Sequence, residues 1–195
     1  MLKTNQVIEN PVIGDRARVL VTSEDTNGEY VRAELWCKPG AKGTPIHYHP
    51  LQSESFEVVK GKFGIDNNGE NMILSAGQKV TIEKNKRHRF WNASQDEEVL
   101  VIVEFHPAAN FELAIESIYS LAMQGKANRD GMPKNPLQLA AILHDNPGEF
   151  YLINPPVFVQ KFMEKVVGGF AKFLGYKGYI PYPKDKIVFS DKPLA

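Results

Sequence analysis

The chain has one cysteine, Cys37, among 195 residues. That excludes an internal disulfide framework, and a lone thiol of this kind reads as a small apolar packing residue. Net charge is also missing: 23 basic side chains stand against 23 acidic ones. No bulk field then draws the protein to nucleic acid or to an anionic bilayer, and no helix-turn-helix pattern with a basic recognition face stands out. No apolar run reaches the length of a membrane span. The first ten residues, M-L-K-T-N-Q-V-I-E-N, lack the apolar core of a secretory signal. Repeats and low-complexity tracts are absent. The expectation is a cytoplasmic globular protein, without stable membrane insertion or nucleic-acid partner, long enough to bury a sizeable core.

Turn residues are plentiful, and they divide the first half of the chain into short segments. Strands are predicted over residues 16–22, 30–37, 47–49, 55–60, 63–66, 72–74, 79–83, 88–92 and 99–105. Asn27-Gly28, Gly61-Lys62 and Asn67-Asn68-Gly69 provide tight turns between them. Many short strands at regular spacing argue for a sandwich or barrel rather than a βαβ fold. After Pro107 the period changes. Asn110 is a candidate cap for a helix whose face carries Phe111, Ile115, Ile118 and Ala122, with Gly125 as its stop. Asn135-Pro136 supplies a cap and a first-turn proline for a second helix through Leu143. Pro155-Pro156 opens the longest helix, reaching about Leu174. Its apolar stripe includes Phe158, Phe162, Val166 and Phe170, which are expected to be buried within the chain or across a dimer interface. Residues 175–195 read as an extended, loosely structured tail. The chemistry divides accordingly into residues 1–106, a β unit, and residues 107–195, a helical extension packed on it or on a dimer partner.

Chemistry-bearing residues cluster in the β unit. His47, His49, Glu54 and His88 combine three imidazoles with one carboxylate, a ligand set for a divalent transition metal. On a strand, residues two apart share a face, so His47 and His49 can reach one ion together. His88 must return from a distant hairpin, which a rolled antiparallel sheet achieves. By the same alternation Phe56 and Val58 follow Glu54 inward, and Phe90 and Asn92 follow His88. These four are the candidate substrate pocket.

At these positions the chain resembles the cupin superfamily. The family's first motif, G-(X)5-H-X-H-(X)3–4-E-(X)6-G, is matched by His47, His49, Glu54 and Gly61, with Ala41 in place of the leading glycine between Gly40 and Gly43. The second, G-(X)5-P-X-G-(X)2-H-(X)3-N, is matched by Gly77, His88 and Asn92, with Glu83 for the proline and Asn85 for the glycine. Asparagine tolerates positive φ, so the turn can survive at Asn85. The resemblance covers roughly residues 15 to 106. It implies a mainly β fold, a cupin-like jelly-roll barrel followed by the helical extension. It also implies one divalent metal (iron, manganese, nickel, zinc or copper) held by His47, His49, Glu54 and His88. Two function classes follow from it. One is a metalloenzyme, dioxygenase-like or isomerase-like, acting on an oxygenated small molecule, with Glu54 as a candidate base. The other is a non-catalytic module binding a small sugar or acid. Homodimers are common in the family.

Overall fold

In a computed structural model, which describes residues 1–192, the chain up to residue 106 builds ten strands. They are β1 (Gln6–Asn10), β2 (Asp15–Val21), β3 (Val31–Cys37), β4 (His47–Tyr48), β5 (Ser53–Lys60), β6 (Lys62–Asn67), β7 (Glu70–Ser75), β8 (Lys79–Ile82), β9 (His88–Asn92) and β10 (Val99–His106). The turns between them use the residues that suit left-handed backbone. Asn27 and Gly28 have φ of 52° and 82°, and Asn68 and Gly69 have 55° and 96°. Asn85 takes φ 65°, so it does hold the turn that a glycine would. At Gly43 (φ 65°) a Cβ would lie 1.8 Å from the Phe90 carbonyl oxygen, so the chain there passes too close to β9 for any side chain.

The extension follows with α1 (Phe111–Met123), α2 (Pro136–Asp145), β11 (Tyr151–Leu152), α3 (Val157–Phe162), a π-helical turn (Met163–Val167), α4 (Gly168–Phe173) and β12 (Val188–Phe189). Asn135 caps α2 as expected, its side chain accepting from the N–H groups of Leu137 and Gln138. Asn110 does not cap α1 with its side chain; its backbone N–H instead donates to the Glu149 carboxylate, 2.9 Å away.

Two antiparallel sheets face each other. One runs β12-β1-β2-β3-β10-β5-β8 and the other β11-β4-β9-β6-β7. The jelly-roll barrel is therefore present, with helices after it. Its floor is an aromatic cluster, Phe56, Phe63 and Phe90, with ring centroids 5.2 to 5.7 Å apart. Such pairs add to the area they bury. Strand β1 is a sheet member that the alternation pattern did not mark, and β11 and β12 extend both sheets with residues from the helical half. Tyr151 pairs with Tyr48 and Leu152 with His47, while Val188 pairs with Val7. The tail over its described residues is thus fastened rather than loose: Tyr182 is buried, and its hydroxyl accepts from the Glu9 N–H at 3.1 Å.

The long helix does not bury its apolar stripe within the chain. Within the chain Phe158, Phe162, Val166 and Phe170 are 72, 56, 55 and 55% exposed. The inward face carries Gln160, Glu164, Gly168 and Ala171. Hydrogen bonds decide the orientation. Gln160 bonds both the N–H and the C=O of Leu152, and Glu164 accepts from the Tyr151 hydroxyl at 2.8 Å, so the helix is fixed to β11 by polar contacts. Gly168 lets the helix approach α2, where a Cβ would lie 2.4 Å from the Ala140 carbonyl oxygen.

Asp15 is buried opposite Cys37 in the β2–β3 ladder, and neither carboxylate oxygen has a hydrogen-bond partner; the adjacent thiol is a weak donor. Burial pushes its pKa from 3.8 up to about 7. The folded state therefore holds a proton that the unfolded state has released. Its contribution to stability is lost as pH rises from about 4 to about 7, on the order of 4 kcal/mol at the upper limit. Asp15→Asn is expected to melt at a higher temperature than the wild type at pH 8, with much less advantage at pH 4.5. Thermal melts across that range check this; an equal difference at both ends would show that Asp15 is not the titrating group.

Candidate metal centre

The sheet register assembles the four predicted ligands. His47 on β4 lies opposite His88 on β9. Glu54 lies on β5, next to β10, which brings it from the other sheet. His49 follows β4 directly. All four side chains are buried, and their ligand atoms lie within 4.8 Å of one another. The imidazole centroids are 4.4 Å (His47–His88), 5.0 Å (His47–His49) and 5.5 Å (His49–His88) apart.

The rings are oriented from behind. Each Nδ1 meets a backbone carbonyl: Pro45 O at 2.8 Å for His47, Lys86 O at 2.9 Å for His88, and Glu149 O at 2.5 Å for His49. A carbonyl can only accept, so the proton sits on Nδ1 and the Nε2 lone pair is directed at the centre. Yet His88 Nε2 is 2.7 Å from Glu54 Oε2, and His49 Nε2, which has no hydrogen-bond partner, is 3.5 Å from the same oxygen. Both nitrogens of both rings thus face acceptors. Such a geometry is satisfied by extra protons or by a cation among the Nε2 atoms and the carboxylate. The donor set fits a divalent transition metal: nitrogen and oxygen donors, deeply buried, with backbone partners behind every imidazole.

Electrostatics point the same way. Burial and the two neighbouring imidazoles lower the His47 pKa to about 3, so this ring is neutral and ready to ligate. Burial alone would raise Glu54, but the close contacts and charge of His49 and His88 outweigh it and hold the carboxyl far below its ordinary range. Burial likewise disfavours charge on His88, and the Glu54 contact reverses this, raising it.

Phe90 lines the cavity beside the ligands, but Phe56 and Val58 do not. They point inward as expected and belong to the packed floor below the site. Asn92 is turned to the backbone: its amide donates to the carbonyls of Cys37, Lys38 and Glu97 and so ties the end of β3 and the loop before β10 to β9. The walls come from elsewhere. Phe105 on β10 meets the His49 ring edge-on at 5.3 Å and stacks on Phe111 of α1 at 3.6 Å.

Sequence reasoning did not find Glu149. Its carbonyl sets the His49 tautomer from 100 residues away. Its carboxylate accepts from Asn110 N–H and from the Gln52 side chain, which in turn also donates to Ala108 O at 2.8 Å. Burial pushes the Glu149 pKa up to about 7. A single acid after an Asp-Asn-Pro-Gly break has no periodic signal, and a backbone acceptor leaves none in the sequence.

Comparison with known proteins places this geometry. Residues 37–104 match the family model described as the cupin domain. Residues 37–104 of the β half are thus a cupin domain. It is 40% identical over 63 residues to the polyketide synthase CurC of Streptomyces cyaneus, covering 32% of this chain and 40% of that protein. It is 35% identical over 65 residues to the probable oxidoreductase virH of Hypocrea virens, covering 33% and 30%. Among solved structures, an RmlC-like cupin from Shewanella frigidimarina is 25% identical, with a TM-score of 0.46, over 54% of this chain and 86% of that one. The matched segments span 30 to 55% of the length of the curated relatives. Among the described residues, no helix is long and apolar enough to cross a membrane.

Proposed function

We propose that His47, His49, Glu54 and His88 bind one divalent transition metal, and that the protein is a metalloenzyme of dioxygenase or isomerase type. Its substrate is an oxygenated small molecule bound at that metal inside the barrel. The observation that carries this reading is the pair of rings, His49 and His88, whose two nitrogens both face acceptors. When bound, iron, manganese, nickel or copper supplies Lewis-acid and dioxygen chemistry, and zinc the former alone. The chain's own residues do the rest. Carbonyls of Pro45, Lys86 and Glu149 fix the rings. Phe105 and Phe111 keep water from the site. Glu54 takes the proton of an enol or hydroxyl at a carboxylate oxygen. Relatives named as oxidoreductases support the redox branch.

Oxygen uptake with a panel of enols and flavonols tests the catalytic part. Turnover is expected from metal-loaded protein and should vanish on chelation. Full metal loading with neither oxygen uptake nor isomerisation across the panel would leave a binding module instead.

We propose further that the protein is a homodimer, with the exposed face of residues 157–174 as its contact. Phe173 and Leu174 extend this face, at 85 and 51% exposed. A second copy fits it better than an anionic bilayer does. Lys172 is ion-paired to Asp145 and Lys161 sits over the Tyr151 ring, so lysines flanking the face are engaged by the chain itself. The zero formal net charge adds no bulk repulsion between copies.

A further inference from the structure

Two of the four ligands lean on the helical half of the chain. Strand β11 pairs with β4, Leu152 lying opposite His47, and the Ile153 N–H donates to the Ile46 carbonyl at 3.2 Å. Just before β11, the Glu149 carbonyl meets His49 Nδ1 at 2.5 Å. The three imidazoles differ in how they are backed. His47 and His88 take their carbonyls from two residues upstream, Pro45 and Lys86, so ring and partner move together. His49 takes its own from 100 residues away. Its orientation therefore depends on where tertiary contacts place residue 149.

The Glu149 side chain makes those contacts. It is buried, and its two carboxylate oxygens are used separately. One accepts from the Asn110 N–H at 2.9 Å, the other from the Gln52 amide at 3.1 Å. Gln52 stands in the loop between His49 and Glu54, and its amide also donates to the Ala108 carbonyl. One residue thus grips the ligand loop twice, at His49 through its carbonyl and at Gln52 through its carboxylate. A buried carboxylate needs such donors, so the side chain has little freedom to shift. Groups standing behind metal-ligating imidazoles fix ring orientation and tautomer, and through them affinity.

We propose that Glu149 is a positioning residue for the metal centre. Its carboxylate, held by Asn110 and Gln52, keeps its own carbonyl against His49, so the helical extension sets how tightly the ion is bound. The inference rests on the metal reading above and goes beyond it. All four ligands lie within residues 37–104, whereas the residue that tunes them lies outside that segment.

Zinc titration of the full chain in competition with a chromophoric chelator tests it. Any substitution of Glu149 keeps the backbone carbonyl, so an effect on zinc must come through placement. Glu149→Ala is expected to weaken zinc binding about 10- to 100-fold, the range for partners behind a ligand. Gln52→Ala should act in the same direction, and it decides the matter should Glu149→Ala fail to fold. Glu149→Gln should largely restore affinity. Its amide oxygen can accept from Asn110, and its amide nitrogen can donate to Gln52 Oε1, which has no hydrogen-bond partner among the described residues. Glu116→Ala is the control. That buried acid also accepts one backbone N–H and one side-chain donor, from Tyr182 and Tyr179 of the tail. Its loss should lower the melting temperature and leave zinc affinity unchanged. Imidazole proton resonances of the zinc-loaded protein give a second readout. The His49 Nδ1–H should exchange faster with solvent in Glu149→Ala, and those of His47 and His88 should not. Unchanged zinc affinity in Gln52→Ala and folded Glu149→Ala, or an equal loss in Glu116→Ala, would overturn the inference while wild-type zinc binding stands. Failure of the wild type itself to take up zinc would strike the metal reading, and this inference with it.

Discussion

Purified His88→Ala and His49→Ala variants are expected to lose stoichiometric metal. Even a hydrogen-bond partner behind a ligand contributes about 10- to 100-fold to metal affinity, so removing a ligand should cost more than that. Turnover should fall with it. The fold should persist, because the aromatic floor of Phe56, Phe63 and Phe90 and the apolar cluster around it are independent of the ion. The two variants differ in one respect. His88 is the nearest partner of the buried Glu54 carboxylate, at 2.7 Å, so its removal leaves that charge poorly compensated. His88→Ala is therefore expected to melt at a lower temperature than His49→Ala. Metal analysis together with a cooperative melt checks both points. Full metal retention by either folded variant would remove that residue from the ligand set.

The second large effect concerns the outward face of the long helix. Phe162→Asp is expected to convert the dimer to monomer. Burying each phenylalanine or valine of this face contributes roughly 1.5–3 kcal/mol, and an aspartate in its centre would add an unpaired charge to the buried interface. Association should weaken by about a hundredfold or more, since each 1.4 kcal/mol is a factor of ten. The monomer's own stability should change little, because Phe162 is 56% exposed in the single chain. Solution mass from light scattering across a dilution series reads the outcome. An unchanged mass in wild type and variant would discard this face as the dimer contact, and liposome sedimentation would then ask whether it meets a membrane.

Legibility in the sequence followed the type of interaction. Strand β9 was read with its bounds intact, because alternation from His88 to Asn92 is enforced by a buried face. Turns at Asn27-Gly28 and Asn85 were readable because few residues accept left-handed backbone. The ligand types were readable because side-chain chemistry shows at fixed spacing, and the register brings those four residues together. Strands β11 and β12, two residues each, carry no period of their own and exist through what they pair with. The long helix marks the sharpest division. Its period revealed an apolar stripe, but not which way the stripe would face. Gln160 and Glu164, bonding the backbone of Leu152 and the hydroxyl of Tyr151, turned the helix the other way. Glu149 was invisible for a similar reason: it acts on His49 through a carbonyl that every residue possesses.

The central claim is that the four buried side chains form a metal centre. Elemental analysis of the chain, stripped with chelator and then titrated in turn with iron, manganese, nickel, zinc and copper, tests it most directly. The account predicts saturation at one ion per chain, and loss of that site in His49→Ala. Absence of stoichiometric uptake for every one of these ions by the folded wild type would contradict it.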